Sequence, residues 1–205
     1  MLHKWFKRRT AKKNANTNNA KKIATIATGL AALVVFAVAV FWLYVQLQTY
    51  PAETELLEAI RAEDGLTITE GRNHFILTPQ SVDPTKPPII YYPGGLVAPE
   101  AYLYKMGRAA VCLQKPIYII KAPFNAAIFD VSAAGRIINT YDLPRAWVGG
   151  HSLGGISACR YAAGNPEKVF GLFLFGSYCD RDLSGFDGQT ISVMGLQDQI
   201  ITLWK

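Results

Sequence analysis

The longest apolar stretch in the chain, IATIATGLAALVVFAVAVFWLYV from Ile23 to Val45, runs 23 positions without a charge. As an α-helix it would extend about 35 Å, enough to cross a hydrocarbon core. It has no polar stripe of the kind that marks an amphipathic helix resting on a soluble core. The pattern therefore predicts a transmembrane helix at 23–45. A cleaved signal peptide fits less well, because its apolar region is usually about 7 to 15 residues long and a small-x-small site should follow. None occurs in VQLQTYPAE.

Beyond Pro51 the pattern is that of a folded domain. In AETELLEAIRAEDG, Leu56, Leu57 and Ile60 share one helical face between acids, which predicts a short amphipathic helix ending at Gly65. LTIT (Leu66 to Thr69) and HFIL (His74 to Leu77) flank Glu70-Gly71-Arg72-Asn73 as a hairpin. Then come strand-like apolar runs: IIYY (89–92), IYII (117–120), AWVG (146–149), VFGLFLF (169–175) and TISVM (190–194). The first three gaps hold helical patterns. Tyr102, Met106, Ala109 and Leu113 share a face, Ile128, Val131 and Ile138 share another, and a third helix starts at Leu153 and stops at Gly164-Asn165-Pro166. Continuous apolar strands alternating with helices are buried on both faces, so the expected fold class is α/β with a mostly parallel sheet. The expected organisation is a tail (1–22), a transmembrane helix (23–45), a juxtamembrane segment with a short helix (46–65) and the α/β domain (66–205).

Charge then orients the chain. Its 205 residues carry 21 Lys and Arg against 15 Asp and Glu, a formal +6. Eight of the bases (Lys4, Lys7, Arg8, Arg9, Lys12, Lys13, Lys21 and Lys22) precede the apolar run, with no acid among them. The remaining 13 face 15 acids, so the domain has no electrostatic footprint for nucleic acid. The basic run places the N-terminus in the cytoplasm as a solvated tail and the domain outside, in a single-pass cell-membrane topology, with Trp42, Tyr44 and Tyr50 at the far interface. Cys112, Cys159 and Cys179 form neither a metal pattern nor a disulfide framework and read as buried small hydrophobes. One bridge would be compatible with a domain outside the cytosol.

The candidate chemistry lies where AWVG runs into Gly150-His151-Ser152-Leu153-Gly154 and on into a helix. This is GxSxG in a strand, turn, helix context, the arrangement of a nucleophile elbow. The turn is so tight that positions 150 and 154 must be glycine. It lifts Ser152 Oγ above the carboxyl end of the sheet, where open α/β sheets bind ligands, and sets the Leu153 N–H on the same side as an oxyanion donor. A second donor is expected after IIYY, in Pro93-Gly94-Gly95-Leu96, where Gly95 fits best. Asp198, after TISVM, is the favoured orienting acid, with Asp180 and Asp182 as alternatives. Tyr102, Tyr104, Phe124, Phe129 and Tyr178 either line an apolar pocket or pack the core.

With YYPGG (91–95), GGHSLGG (149–155) and GLQD (195–198), the chain resembles an α/β-hydrolase, similar to small bacterial esterase and dienelactone-hydrolase-like members, over residues 66–205. The resemblance implies a serine, acid and histidine triad with Ser152 as nucleophile, Asp198 as acid, and Leu153 with Gly95 as oxyanion donors. It also implies esters, thioesters or related acyl compounds as substrates, with no cofactor or metal. The departure is histidine. None follows His151; His3 precedes the anchor, His74 lies in the early hairpin as a surface residue, and His151 occupies the variable elbow position as a packing residue. The expectation is a C-terminally truncated, poorly active chain lacking the last strand and helix, with the base beyond Lys205. The expected function is that of a membrane-anchored carboxylesterase acting on a small-molecule acyl substrate. An acyltransferase, or a non-catalytic membrane-tethered binding or scaffold protein on the same fold, are the alternatives.

Overall fold

The computed structural model describes residues 2–195, with side chains from residue 21 onward. The chain forms two compact units, divided after Leu47.

The first unit is built on one helix, α1 (Leu2–Gln48), which begins well before the expected Ile23. Once a helix is nucleated, each added residue contributes a hydrogen bond, and the Ala and Lys of the tail are good helix formers. The segment Lys21–Gln48 is long and apolar enough to span a membrane. Its two threonine hydroxyls are turned inward: Thr25 Oγ1 donates to Lys21 O at 3.0 Å and Thr28 Oγ1 to Ala24 O at 2.9 Å. Neither hydroxyl interrupts the apolar surface.

The second unit is a seven-stranded sheet with helices on both faces. Its strands are β1 (Leu66–Glu70), β2 (His74–Pro79), β3 (Ile89–Tyr92), β4 (Ile117–Ile120), β5 (Ala146–His151), β6 (Val169–Phe175) and β7 (Gln189–Val193). They lie in the order β1-β2-β4-β3-β5-β6-β7. The first two pairings, β1 with β2 and β2 with β4, are antiparallel, and all others are parallel. Alternate residues of β3 divide between two cores. Ile90 and Tyr92 join Tyr118, Ile120, Val148 and Leu172 on one face, and Ile89 and Tyr91 join Phe75, Leu77, Ile117 and Ile119 on the other. Both faces are covered, which is why these strands read as unbroken apolar runs.

Helices α2 (Thr54–Arg61) and α3 (Leu103–Leu113) cover the second face; α4 (Ala133–Thr140) and α5 (Leu153–Gly164) cover the first. Two expected faces are adjusted. In α3 the fully buried positions are Leu103, Gly107 and Ala110, while Tyr102, Met106 and Ala109 pack half-buried against the same core and Leu113 is exposed. The reason is α2: a Cβ at Gly107 would lie 2.7 Å from Ile60 Cδ1, so the glycine admits that helix closely. Ile128 and Val131 precede α4 instead of belonging to it, because the chain there is held in turns by the Asp130 to Arg136 ion pair and by the Tyr92 hydroxyl, which donates to Val131 O and accepts the Ala134 N–H. Of the α2 leucines, Leu56 is exposed and Leu57 half-buried; Ile60 alone is fully buried.

The cysteine expectation also changes. Cys159, on α5, and Cys179, past the end of β6, form a disulfide, while Cys112 is free and exposed. The bridge closes a sequence separation of 20 residues, worth about 3 kcal/mol by the loop-entropy relation. Replacing both cysteines with alanine is therefore expected to lower the unfolding free energy by about 3 kcal/mol in urea denaturation. An unchanged midpoint would contradict the bridge.

Candidate active site

Strand β5 passes through Ser152 into α5, and Ser152 takes φ 51° and ψ −123°. A non-glycine residue at positive φ in this region costs of order 1–3 kcal/mol, so the surroundings must hold it there. Two glycines permit the turn. A Cβ at Gly150 would sit 2.5 Å from Tyr92 O, and one at Gly154 would sit 2.1 Å from the same atom and 2.4 Å from Pro93 O. The first turn of α5 is thus pressed against the carboxyl end of β3.

Hydrogen bonds complete the restraint. The Ser152 N–H donates to Phe175 O at 3.0 Å. The buried Ser177 hydroxyl donates to Ser152 O at 2.7 Å, and Gly155 leaves room for it, since a Cβ there would lie 2.4 Å from Ser177 Oγ. The Ser152 residue itself is exposed. The serine is therefore fixed through its backbone and open to solvent through its side chain.

The loop after β3 lies beside it. The Gly94 N–H donates to Tyr102 Oη at 3.0 Å and the Leu96 N–H to Asn125 O at 2.8 Å, so both flanking amides are occupied. The Gly95 N–H between them has no acceptor among the described residues. Gly95 also packs on Leu153, with a Cβ there lying 3.1 Å from Leu153 Cδ2. Leu153 opens α5, and its N–H is among the first amides of the helix, which lack an intrahelical acceptor. The sequence-predicted Ser152, Leu153 and Gly95 are brought together.

The acids and histidines are distributed differently. Asp198 lies outside the described residues. Asp180 is taken by the Arg160 guanidinium, with contacts of 2.9 and 2.6 Å that hold its carboxyl below the usual range. Asp182 accepts the Ser184 N–H and hydroxyl, both at 2.9 Å, and these bonds likewise lower its pKa. His74 is half-buried rather than a surface residue, with Nε2 2.8 Å from Tyr141 Oη. Burial, with a smaller contribution from Lys121, lowers its pKa. The strand order puts β2 three spacings from β5, about 14 Å, so His74 stands well away from Ser152. His151 Nδ1 is 3.1 Å from Tyr102 Oη, whose own pKa is raised by burial.

His151 and Tyr102 also line a cavity of about 390 Å³ with Tyr91, Val97, Met106 and Phe175. A mostly apolar second cavity of about 300 Å³ lies further along the same sheet face, past Met106 and Phe175, against Trp147 and Ile191. Of the five aromatics singled out in the sequence, Tyr102 lines the first cavity, while Phe124, Phe129 and Tyr178 are exposed rather than packed in the core. Ser177 and Asn125 carry no sequence signal of their roles: an isolated Ser or Asn in a loop reads as turn chemistry.

The model for the alpha/beta hydrolase family matches residues 88–205. The chain belongs to the α/β-hydrolase family, and its mostly parallel sheet flanked by helices is that fold. Among solved structures it is similar to epoxide hydrolase A from Mycobacterium thermoresistibile, with 10% identity over 54% of this chain and 39% of that one (TM-score 0.44). It is also similar to the carboxylesterase CesB from Bacillus subtilis, with 19% identity over 60% of this chain and 46% of that one (TM-score 0.42). A third is a bacterial membrane phospholipase A, with 17% identity over 75% of this chain and 52% of that one (TM-score 0.45). The chain thus spans about half or less of the length of each. Among curated proteins none matches it.

Because Gly154 meets backbone atoms that cannot swing aside, Gly154→Ala is expected to cost about 3 kcal/mol in denaturant unfolding. Gly185→Ala has nothing within 4 Å of its added carbon and is expected to change stability by less than about 0.5 kcal/mol. Equal effects at the two positions would contradict the close approach of α5 to β3.

Proposed function

We propose that the protein is a membrane-anchored serine hydrolase, a carboxylesterase acting on acyl esters, with Ser152 as nucleophile. The observation that carries this reading is the exposed, positive-φ serine set beside two amides, those of Gly95 and Leu153, that no group of the described protein uses. A strained serine has no purpose in packing, whereas it serves to present a hydroxyl to a substrate carbonyl.

In this mechanism Ser152 Oγ forms a bond to the acyl carbon while its proton passes to a general base. The carbonyl oxygen becomes an oxyanion held by the Gly95 and Leu153 N–H groups, each worth about 3 kcal/mol of barrier. The ester C–O bond then breaks, and the base returns the proton to the departing alcohol oxygen. Water attacks the acyl-enzyme, giving up a proton to the base; the bond from the acyl carbon to Ser152 Oγ then breaks, and the base returns the proton to Oγ as the acid departs. Asp198 is the proposed orienting acid; both alternatives, Asp180 and Asp182, are already engaged by Arg160 and Ser184. His74 and His151 are engaged by tyrosines, so neither is assigned as the base.

The apolar helix and the basic residues before it support a single-pass anchor in the cell membrane with the domain outside. The Cys159–Cys179 disulfide supports that side, since such bridges persist in oxidising compartments. An acyltransferase would use the same groups with a different acceptor. The distance of His74 from the elbow favours a second reading, a non-catalytic membrane-tethered protein on the same fold.

A fluorophosphonate probe is expected to label Ser152, and labelling is expected to vanish in Ser152→Ala. The same substitution should abolish p-nitrophenyl acetate turnover, a loss of up to about 10⁶-fold. A folded protein with neither labelling nor turnover would establish the non-catalytic reading instead.

A further inference from the structure

Of the elbow residues, Gly150 and Gly154 are fixed by backbone contacts; His151 is held by its side chain as well. It closes β5, and its backbone stands in register with Phe175 of β6. Its ring lies directly against the loop that leaves β3: a Cβ at Gly94 would sit 2.7 Å from His151 Nδ1 and 3.0 Å from Tyr102 Oη. Glycine at 94 therefore admits both the imidazole and the phenol to the backbone itself.

The three groups meet in a fixed order of donors. The Gly94 N–H can only donate, and it donates to Tyr102 Oη at 3.0 Å. That leaves the hydroxyl proton of Tyr102 for His151 Nδ1, 3.1 Å away. Burial raises the Tyr102 pKa, so the phenol keeps its proton. The Tyr102 ring is itself seated on Tyr91, with centroids 5.0 Å apart, and lies 6.2 Å from the His151 ring. This order makes Nδ1 the bare nitrogen of His151 and puts the ring proton on Nε2.

The loop requires such a hold. Leu96, next to Gly95, has φ 55°, a conformation that costs a non-glycine residue about 1–3 kcal/mol. Downstream, Asn125 O takes the Leu96 N–H at 2.8 Å; upstream, Tyr102 takes the Gly94 N–H. Gly95 thus lies between two tethered amides. The path from it to the serine is short: one peptide bond to Gly94, two hydrogen bonds through Tyr102 to His151, and one peptide bond to Ser152. Precision matters there, because a misplacement of about 1 Å can cost about 10²-fold in rate.

We propose that His151 and Tyr102 are positioning residues of the oxyanion hole: His151 Nδ1 orients the Tyr102 hydroxyl, and the hydroxyl sets the Gly94 amide and, with it, the Gly95 N–H relative to Ser152 Oγ. This goes beyond the serine-hydrolase reading and rests on it. Neither side chain touches the reacting atoms, and His151 moves no proton in the reaction. What position 151 must supply is an acceptor at the place of Nδ1, and what position 102 must supply is a hydroxyl.

The test uses the full chain with Tyr102→Phe, His151→Leu, or His151→Asn, whose Oδ1 takes the place of Nδ1. Tyr102→Phe and His151→Leu are each expected to lower kcat for p-nitrophenyl acetate, and the rate of fluorophosphonate labelling at Ser152, at least tenfold with KM within twofold. That is part of the roughly 10²–10³-fold cost of losing an oxyanion donor outright. His151→Asn should stay within threefold of the parent. The double variant Tyr102→Phe/His151→Leu should be no slower than Tyr102→Phe, since residues acting in series are not additive. Hydrogen exchange at the Gly94 amide should be at least tenfold faster in Tyr102→Phe and in His151→Leu, which reads the contact without turnover. His151→Asn as slow as His151→Leu, additive losses in the double variant, or unchanged Gly94 exchange would each overturn the proposal. Should Tyr102→Phe not fold, the two His151 variants and Gly94 exchange decide the matter. A parent that is labelled, with variants labelled equally fast, overturns the positioning role and leaves the serine hydrolase standing. A parent that is not labelled overturns the hydrolase reading and this proposal with it.

Discussion

The first turn of α5 and the last carbonyls of β3 approach so closely that no side chain fits between them, and the site's geometry follows from that contact. Gly154 against Tyr92 O and Pro93 O, with Gly150 against Tyr92 O, sets where the helix begins relative to the sheet. With that spacing fixed, Ser152 has to adopt its positive φ, and the loop leaving β3 has to pass beside Leu153. The packing thus imposes on the serine a conformation it would not choose alone, and the backbone bonds from Ser152 N–H to Phe175 O and from Ser177 to Ser152 O keep it there.

Most of the sheet was legible because its strands are buried on both faces and leave runs such as IIYY and VFGLFLF that little else explains. The elbow was legible because its steric demand reduces to glycine at named offsets. The placement of Gly95 beside Leu153 was legible from the glycine pair that follows IIYY. Where helices met each other, the pattern was incomplete: α3 is fully buried along Leu103, Gly107 and Ala110, a line set by the approach of Ile60 to Gly107, with Met106 and Ala109 half-buried beside it. Tyr102 bonds the Gly94 N–H and His151, Asn125 bonds Leu96 and Thr49, and Ser177 bonds Ser152, contacts between elements that no local pattern encodes. The Cys159–Cys179 bridge is equally non-local, since three widely spaced cysteines do not name a pair.

Those long-range contacts share a purpose. Tyr102 holds Gly94, Asn125 holds Leu96, and Tyr50 holds Leu96 and Ala98 on the other side, so the loop that carries Gly95 is restrained along its length. The post-β6 segment is restrained in turn by Ser177, the disulfide and the Arg160 to Asp180 pair, all directed at α5. The two segments flanking Ser152 are thereby fixed independently of any substrate, which is the condition under which backbone amides stabilise a developing oxyanion without reorganising.

The backbone torsions of Ser152, read from a crystal structure of the full chain, test this account most directly. It predicts φ near 51° and ψ near −123° with the side chain open to solvent. Helical or extended torsions, or a hydroxyl turned into the core, would contradict it.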